Sequence, residues 1–169
     1  MTRLLEDVRA KVAGTDLPTE LSYPGQPTLS PPASDAQIAQ AEKTLGFVLP
    51  TSLKSLYSSI ANGGFGPGYG MIGITGGTPD DTGATCETIY LGWREPDPED
   101  PSWQWPERLL PIAHWGCAIY SCLDCTTPQA PIMVFDPHFL DSDSSPSAFR
   151  PHRLSLEDWL HAWLDNVDL

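Results

Sequence analysis

The chain has 169 residues, which suits one domain that can bury its own hydrophobic core without disulfides or a metal. Its net charge of −13 repels nucleic-acid phosphates and anionic membrane surfaces, so the sequence predicts neither as a partner and favours either a basic partner or a charge that serves solubility alone. A hydrophobic content of 40% with six tryptophans excludes a disordered acidic tail.

The first residues predict no targeting segment. Residues 1–14, MTRLLEDVRAKVAG, mix charged and apolar side chains and lack the apolar run of a signal peptide. No stretch approaches the roughly 18 consecutive apolar residues of a membrane-spanning helix. We therefore expect a cytoplasmic protein, in which the four cysteines stay reduced.

The N-terminal part of the chain has the periodicity of helices. Apolar residues at helical spacing predict a first helix over residues 2–13. Residues 14–33 contain five prolines and predict a Pro-rich surface loop. Ser34 and Gln37 then have the spacing of a capping box, which predicts the start of a second helix.

Two glycine signals predict where the next helices end. The second helix should close at Gly46, because glycine readily adopts the left-handed conformation of a helix C-terminus. A third helix should begin after Pro50, with apolar residues at offsets typical of one helical face. The Asn-Gly-Gly sequence of residues 62–64 should stop it.

Beyond residue 64 the pattern changes to short apolar or β-branched runs, which predict strands. The predicted strands cover residues 69–74, 88–91, 109–115, 118–123 and 132–135. Trp115, Gly116 and Cys117 separate two of them closely enough for a hairpin. A last helix is predicted over 155–167, where Ser155 and Asp158 form a loose capping box.

This order of elements predicts an α+β fold. Residues 1–169 should form a single domain, with a mixed or antiparallel sheet and helices packed on one of its faces.

Residues 62–77, NGGFGPGYGMIGITGG, contain eight glycines and include a literal GxGxxG from Gly68 to Gly73. A dinucleotide-binding loop must follow a strand and open a helix, so that the helix N-terminus faces the phosphates. Here the predicted order is reversed. We expect a helix cap followed by a flexible connection rather than a phosphate site.

Four residues that could bind a metal or act as nucleophiles lie close together in sequence: His114, Cys117, Cys122 and Cys125. A zinc site needs a second ligand pair that the sequence lacks, and a hairpin would send neighbouring side chains to opposite faces. Cysteine is also commonly a small buried hydrophobe. No other motif supplies catalysis, since Asp124, Asp136 and His138 are equally typical of turns. The sequence predicts no metal, no cofactor and no enzyme.

Residues 92–108, GWREPDPEDPSWQWPER, combine three tryptophans, four prolines and five acids in a predicted loop. Tryptophan dominates the energy of many interfaces, so one interpretation of the loop is a recognition element. The other, of equal weight, is a long loop held on the domain by its own tryptophans. For recognition, the candidates are the apolar anchors Trp103 and Trp105, the steering charges Glu95, Asp97, Glu99 and Asp100, and the nearby Trp93 and Tyr69.

Several short motifs occur in a familiar order. They are Leu49-Pro50, Asn62-Gly63-Gly64, Leu110-Pro111-Ile112-Ala113, Trp115-Gly116-Cys117, Tyr120-Ser121-Cys122-Leu123-Asp124 and Ser155-Leu156-Glu157-Asp158-Trp159-Leu160. Together they make residues 34–166 resemble the SUKH superfamily. The resemblance implies an α+β fold with a mixed sheet, and neither catalytic residues nor a cofactor.

The resemblance also implies two kinds of function. Most bacterial members look like immunity proteins, which bind and neutralise a cognate polymorphic toxin that is often a nuclease or deaminase. Fungal relatives act as regulators of cell-wall synthesis and signalling. We therefore expect a protein that occludes a basic toxin domain, and alternatively a regulatory or scaffold module whose partner is a house-keeping protein.

Overall fold

The computed structural model describes residues 1–14, 29–96, 98, 103–140 and 148–167. Within these ranges the helices are α1 Thr2–Gly14, α2 Asp35–Leu45, α3 Thr51–Ser59, α4 Cys86–Arg94 and α5 Leu156–Leu164. The strands are β1 Leu109–His114, β2 Tyr120–Asp124, β3 Ile132–Phe135 and β4 Phe149–Arg153, and a short 3-10 helix spans Pro137–Phe139. Most of the predicted Pro-rich loop, residues 15–28, lies outside the described residues.

The four strands form one antiparallel sheet in the order β1-β2-β3-β4. The predicted α+β fold with an antiparallel sheet is therefore confirmed, as is the hairpin between β1 and β2. Two bulges interrupt the register, because Ile112 is an extra residue in β1 and His152 is an extra residue in β4.

The predicted helix starts are confirmed by their caps. Ser34 and Gln37 form a capping box at the start of α2, and Gly46 closes that helix in the left-handed conformation with φ 78°. The Ser155 side chain accepts a hydrogen bond from the Asp158 backbone at the start of α5. This last helix ends at Leu164 rather than at the predicted residue 167.

Two strand predictions are wrong. Residues 88–91 lie inside α4, where Cys86, Ile89 and Tyr90 are buried at helical offsets of three and four. Residues 69–74 form no strand, and Met71 makes only an isolated bridge with Ala113. The prediction also missed β4, since its sequence of Phe, Arg, Pro, His and Arg lacks the apolar alternation of a strand.

The glycine-rich stretch is packed rather than a flexible connection. A Cβ atom on Gly73 or on Gly77 would collide with Asn62, whose side chain is fully buried. These glycines allow two backbone segments to approach each other closely.

One hydrophobic core contains buried side chains from both the helices and the sheet. Its fully buried side chains include Leu53, Leu56, Leu110, Ile112 and Trp159. No helix within the described ranges has the length and apolar composition needed to cross a membrane.

Candidate protein-binding surface

Aromatic side chains form a row across one face of the sheet. Tyr120, Phe135 and Phe149 are register partners on β2, β3 and β4, so their side chains lie on the same face. Trp93 of α4 packs on this row, with its ring centroid 4.9 Å from that of Tyr120. Trp105 packs beside it, 4.9 Å from Phe135. The prediction of a loop over residues 92–108 is wrong at its start, because residues 92–94 belong to α4. The described part of this stretch is attached to the sheet by its three tryptophans.

Trp105 lies in the core and not at the surface. Its side chain is 1% exposed, and its indole nitrogen donates a hydrogen bond of 2.7 Å to the carbonyl of Leu109. Arg94 donates to the Trp105 carbonyl at 2.6 Å. A partner could not contact Trp105 without displacing it, so we assign Trp105 to the support of the surface rather than to direct contact.

Trp103 and Trp93 are partly buried, so part of each ring reaches the surface. Trp103 stacks on Phe149 with the ring centroids 5.9 Å apart and the planes 9° from parallel. Glu95, an exposed residue, follows α4 as its C-cap. The other predicted steering charges, Asp97, Glu99 and Asp100, lie outside the described residues.

Tyr69 joins the same row through two further rings. Its ring lies 5.5 Å from His114, and His114 stacks on Tyr120 at 4.6 Å. The rings of Tyr69, Trp93, Trp103 and Trp105 are therefore linked through the rings of the sheet, although residues 69 and 103 are far apart in sequence. We call the exposed parts of Tyr69, Trp93 and Trp103, together with Glu95 and Asp81, the aromatic–acidic surface.

Two acidic residues of this region were not predicted from the sequence. Asp80 accepts a hydrogen bond of 3.1 Å from the Tyr120 hydroxyl, and Asp81, with a 40% exposed side chain, lies 3.1 Å from His114 Nδ1. Burial, and then the charge of Asp80, raise the pKa of Tyr120, so its hydroxyl remains a donor at neutral pH. The only signal available in the sequence was a Pro-Asp-Asp-Thr-Gly segment, which is typical of a turn.

The cysteines are separated by the fold. Cys122 and Cys125 are buried in the core, whereas Cys117 is exposed in the hairpin turn. Burial and the neighbouring Asp124 raise the pKa of Cys125 to about 12, and burial also raises that of Cys122. Both therefore stay thiols, which are poor nucleophiles. The described part of the chain contains no group of three or more His, Cys, Asp or Glu side chains placed to hold a metal.

Comparison with known proteins identifies a family for this arrangement. The model of the SMI1 / KNR4 family (SUKH-1) matches residues 32–161, which is well over half of the chain. No curated protein matches the chain.

Proposed function

Because the chain belongs to the SMI1 / KNR4 family (SUKH-1), we propose that it is a non-catalytic binding protein that neutralises a cognate polymorphic toxin. The toxin is expected to act on nucleic acid, and inhibition is expected to occur by occlusion of its active site. The alternative is a regulatory or scaffold module that binds a house-keeping protein, and the first experiment distinguishes it from a toxin-binding protein.

The observation that carries the proposal is the aromatic–acidic surface. It combines partly exposed tryptophan rings, which are rigid anchors with little rotamer entropy to lose, with the carboxylates of Asp81 and Glu95. The rings are held by the Phe135 and Phe149 side chains beneath them. A surface that is already ordered before binding lowers the cost of association.

Charge favours the same kind of partner. The net charge of −13 complements the basic groove with which an enzyme binds nucleic-acid phosphates. Such complementarity raises the rate of association more than the final affinity, and salt screens it. The neighbouring Asp97, Glu99 and Asp100 stay predicted contributors to this steering.

The first experiment is purification of the tagged chain from its native cells at about 50 mM and at about 300 mM NaCl, which span strong and weak screening. We expect a stoichiometric partner with a basic C-terminal toxin domain, released more readily at the higher salt. A metabolic or signalling enzyme in place of a toxin would contradict the proposal and favour the regulatory module.

The second experiment tests the surface with the purified partner. We expect Trp103→Ala to weaken binding by about tenfold or more, because an aromatic anchor is lost. Glu95→Lys should slow association at low salt, whereas Glu6→Lys on α1 makes the same charge change at an exposed site outside this surface. Unchanged affinity in folded Trp103→Ala protein would show that the partner binds elsewhere.

A further inference from the structure

The opposite face of the sheet carries an open groove. Ser121, Val134 and Arg150 are register partners on β2, β3 and β4, and they alternate with the aromatic row, so they lie on the other face. The groove has a volume of about 430 Å³, which is enough for one or two side chains of a partner. Its lining residues are Trp115, Ile119, Val134, Arg150, Pro151 and His152.

The apolar wall of the groove is held in place before anything binds. Trp115 Nε1 donates a hydrogen bond of 2.9 Å to the hydroxyl of Ser121, which is fully buried. The Trp115 backbone also donates to Ile119 at 2.9 Å and closes the hairpin turn. Because the one polar atom of the indole is satisfied within the protein, the rest of the ring offers a fixed apolar surface.

Arg150 adds a positive charge to this apolar surface. Its Nη2 lies 3.4 Å from Asp136 Oδ2, and its guanidinium carbon lies 4.7 Å from the centroid of the Phe139 ring. These contacts orient the guanidinium, yet the side chain remains 40% exposed. Among the described residues, the one side-chain hydrogen bond of Arg150 is this long bond to Asp136, which balances part of the positive charge and leaves guanidinium N–H donors for a second carboxylate.

β4 as a whole is locally basic in an acidic protein. Its five residues include Arg150 and Arg153 and no acid, whereas the chain contains 22 acidic residues against nine Lys and Arg. Elsewhere the excess of carboxylates repels an acidic segment. At the groove, an acidic segment meets a cation beside an apolar wall.

Two other occupants of the groove, a further β-strand and a second copy of this chain, are disfavoured. Addition of a further strand is opposed by Pro151, which has no backbone N–H to donate, and by the bulge at His152. A second copy of this chain would bring together two molecules that each carry a net charge of −13. Docking through side chains of a different protein meets neither obstacle.

We propose that the groove is a second docking site, for a segment of another protein in which an acidic residue stands next to a bulky apolar one. The apolar side chain packs against Trp115 and Val134, and the carboxylate pairs with Arg150. The groove lies on the face of the sheet opposite the row of Tyr120, Phe135 and Phe149, so the proposal does not rest on the toxin-binding function.

NMR titration of the full chain tests the proposal. The probe is the capped pentapeptide Asp-Glu-Phe-Glu-Asp, compared with one peptide in which lysines replace the acids and one in which alanine replaces phenylalanine. We expect the acidic aromatic peptide to shift the Trp115 indole signal and the Val134 amide signal, with a Kd of about 1 mM or lower. Each comparison peptide should bind about tenfold more weakly.

Two arginine variants complete the test. Arg150→Gln should weaken the acidic peptide by about tenfold, whereas Arg3→Gln, which removes an exposed arginine from α1, should not. The proposal is overturned if no groove signal shifts at about 5 mM peptide, if the lysine peptide binds equally well, or if folded Arg150→Gln binds unchanged. It is overturned in favour of a second copy if sedimentation velocity finds a dimer that Arg150→Gln abolishes.

Discussion

Asn62 is the residue on which the glycine-rich stretch converges. Its side-chain oxygen accepts a hydrogen bond of 2.9 Å from the Ile74 backbone, and its amide donates to the carbonyls of Ile74 and Thr75, both at 3.3 Å. Its backbone carbonyl accepts from Thr78 at 2.8 Å. One buried amide therefore bonds the backbone of Ile74 and Thr75 outside the sheet, and the absence of side chains on Gly73 and Gly77 leaves room for it.

We expect Asn62→Ala to lower the free energy of unfolding by about 1–3 kcal/mol, because the buried backbone N–H of Ile74 loses its acceptor. Urea unfolding followed by tryptophan fluorescence measures the change. The control is Gln40→Ala, which removes an exposed amide bonded to Thr44 and should cost less than about 0.5 kcal/mol. Equal losses in the two variants would contradict a central role for Asn62.

Among the elements, α1 depends on α5 for its position. Lys11 Nζ donates to the carbonyl of Trp163 at 2.6 Å and to the side chain of Asn166 at 2.9 Å, and it lies over the Trp163 ring. The lysine thus binds the carbonyl-rich end of another helix, where a positive charge is favourable. Burial lowers the pKa of Lys11, while Asp165 opposes this effect.

We expect Lys11→Met to release α1 from the end of α5 while the rest of the fold persists. Methionine keeps much of the aliphatic stem of lysine but removes its hydrogen-bond donors. We expect the free energy of local opening of α1 to fall by about 1 kcal/mol, because the Lys11 site is partly exposed. Hydrogen exchange measures this local free energy, and the α1 amides should show a larger increase in exchange rate than the amides of the sheet. Lys43→Met removes an exposed lysine from the last turn of α2 and should leave α1 unchanged. Uniformly faster exchange in Lys11→Met would contradict this local account.

How well an element was predicted depended on whether its signals are local. α2 and α5 carry caps within three residues of their start, and these were predicted. α4 was mistaken for a strand because its β-branched residues and Gly92 obscured the helical spacing of its buried face. β4 forms only because β3 offers it a partner, and its own residues gave no strand signal.

The site was predicted only in part for the same reason. Trp93 and Trp103 were singled out by the composition of residues 92–108, and Tyr69 was included only as a nearby residue. Their joining in one surface depends on contacts such as that between Trp103 and Phe149, which are distant in sequence. The roles of Asp80 and Asp81 likewise depend on Tyr120 and His114, which only the folded sheet brings near them.

At the scale of the whole molecule, charge is distributed unevenly. The row of Tyr120, Phe135 and Phe149 and the groove that contains Arg150 lie on opposite faces of one sheet, so the molecule can attract a basic partner on one side and an acidic segment on the other. The total remains strongly acidic. Among the described residues, ion pairs of Lys or Arg with acids are few, and they range from the exposed pair of Arg3 and Asp7 to the partly buried pair of Lys54 and Glu42.

Repulsion among carboxylates should therefore dominate the response of stability to salt. We expect the Tm at pH 7.5 to rise by about 3 °C between about 20 and 300 mM NaCl, because screening weakens long-range repulsion more than it weakens the few short ion pairs. Differential scanning calorimetry measures the rise. Its control is the same series at about pH 5, nearer the isoelectric point of 4.4, where the net charge is smaller and the rise should shrink. A Tm that falls with salt at pH 7.5 would mean that attractive ion pairs outweigh the repulsion among carboxylates. It would contradict the expectation that this repulsion destabilises the folded protein.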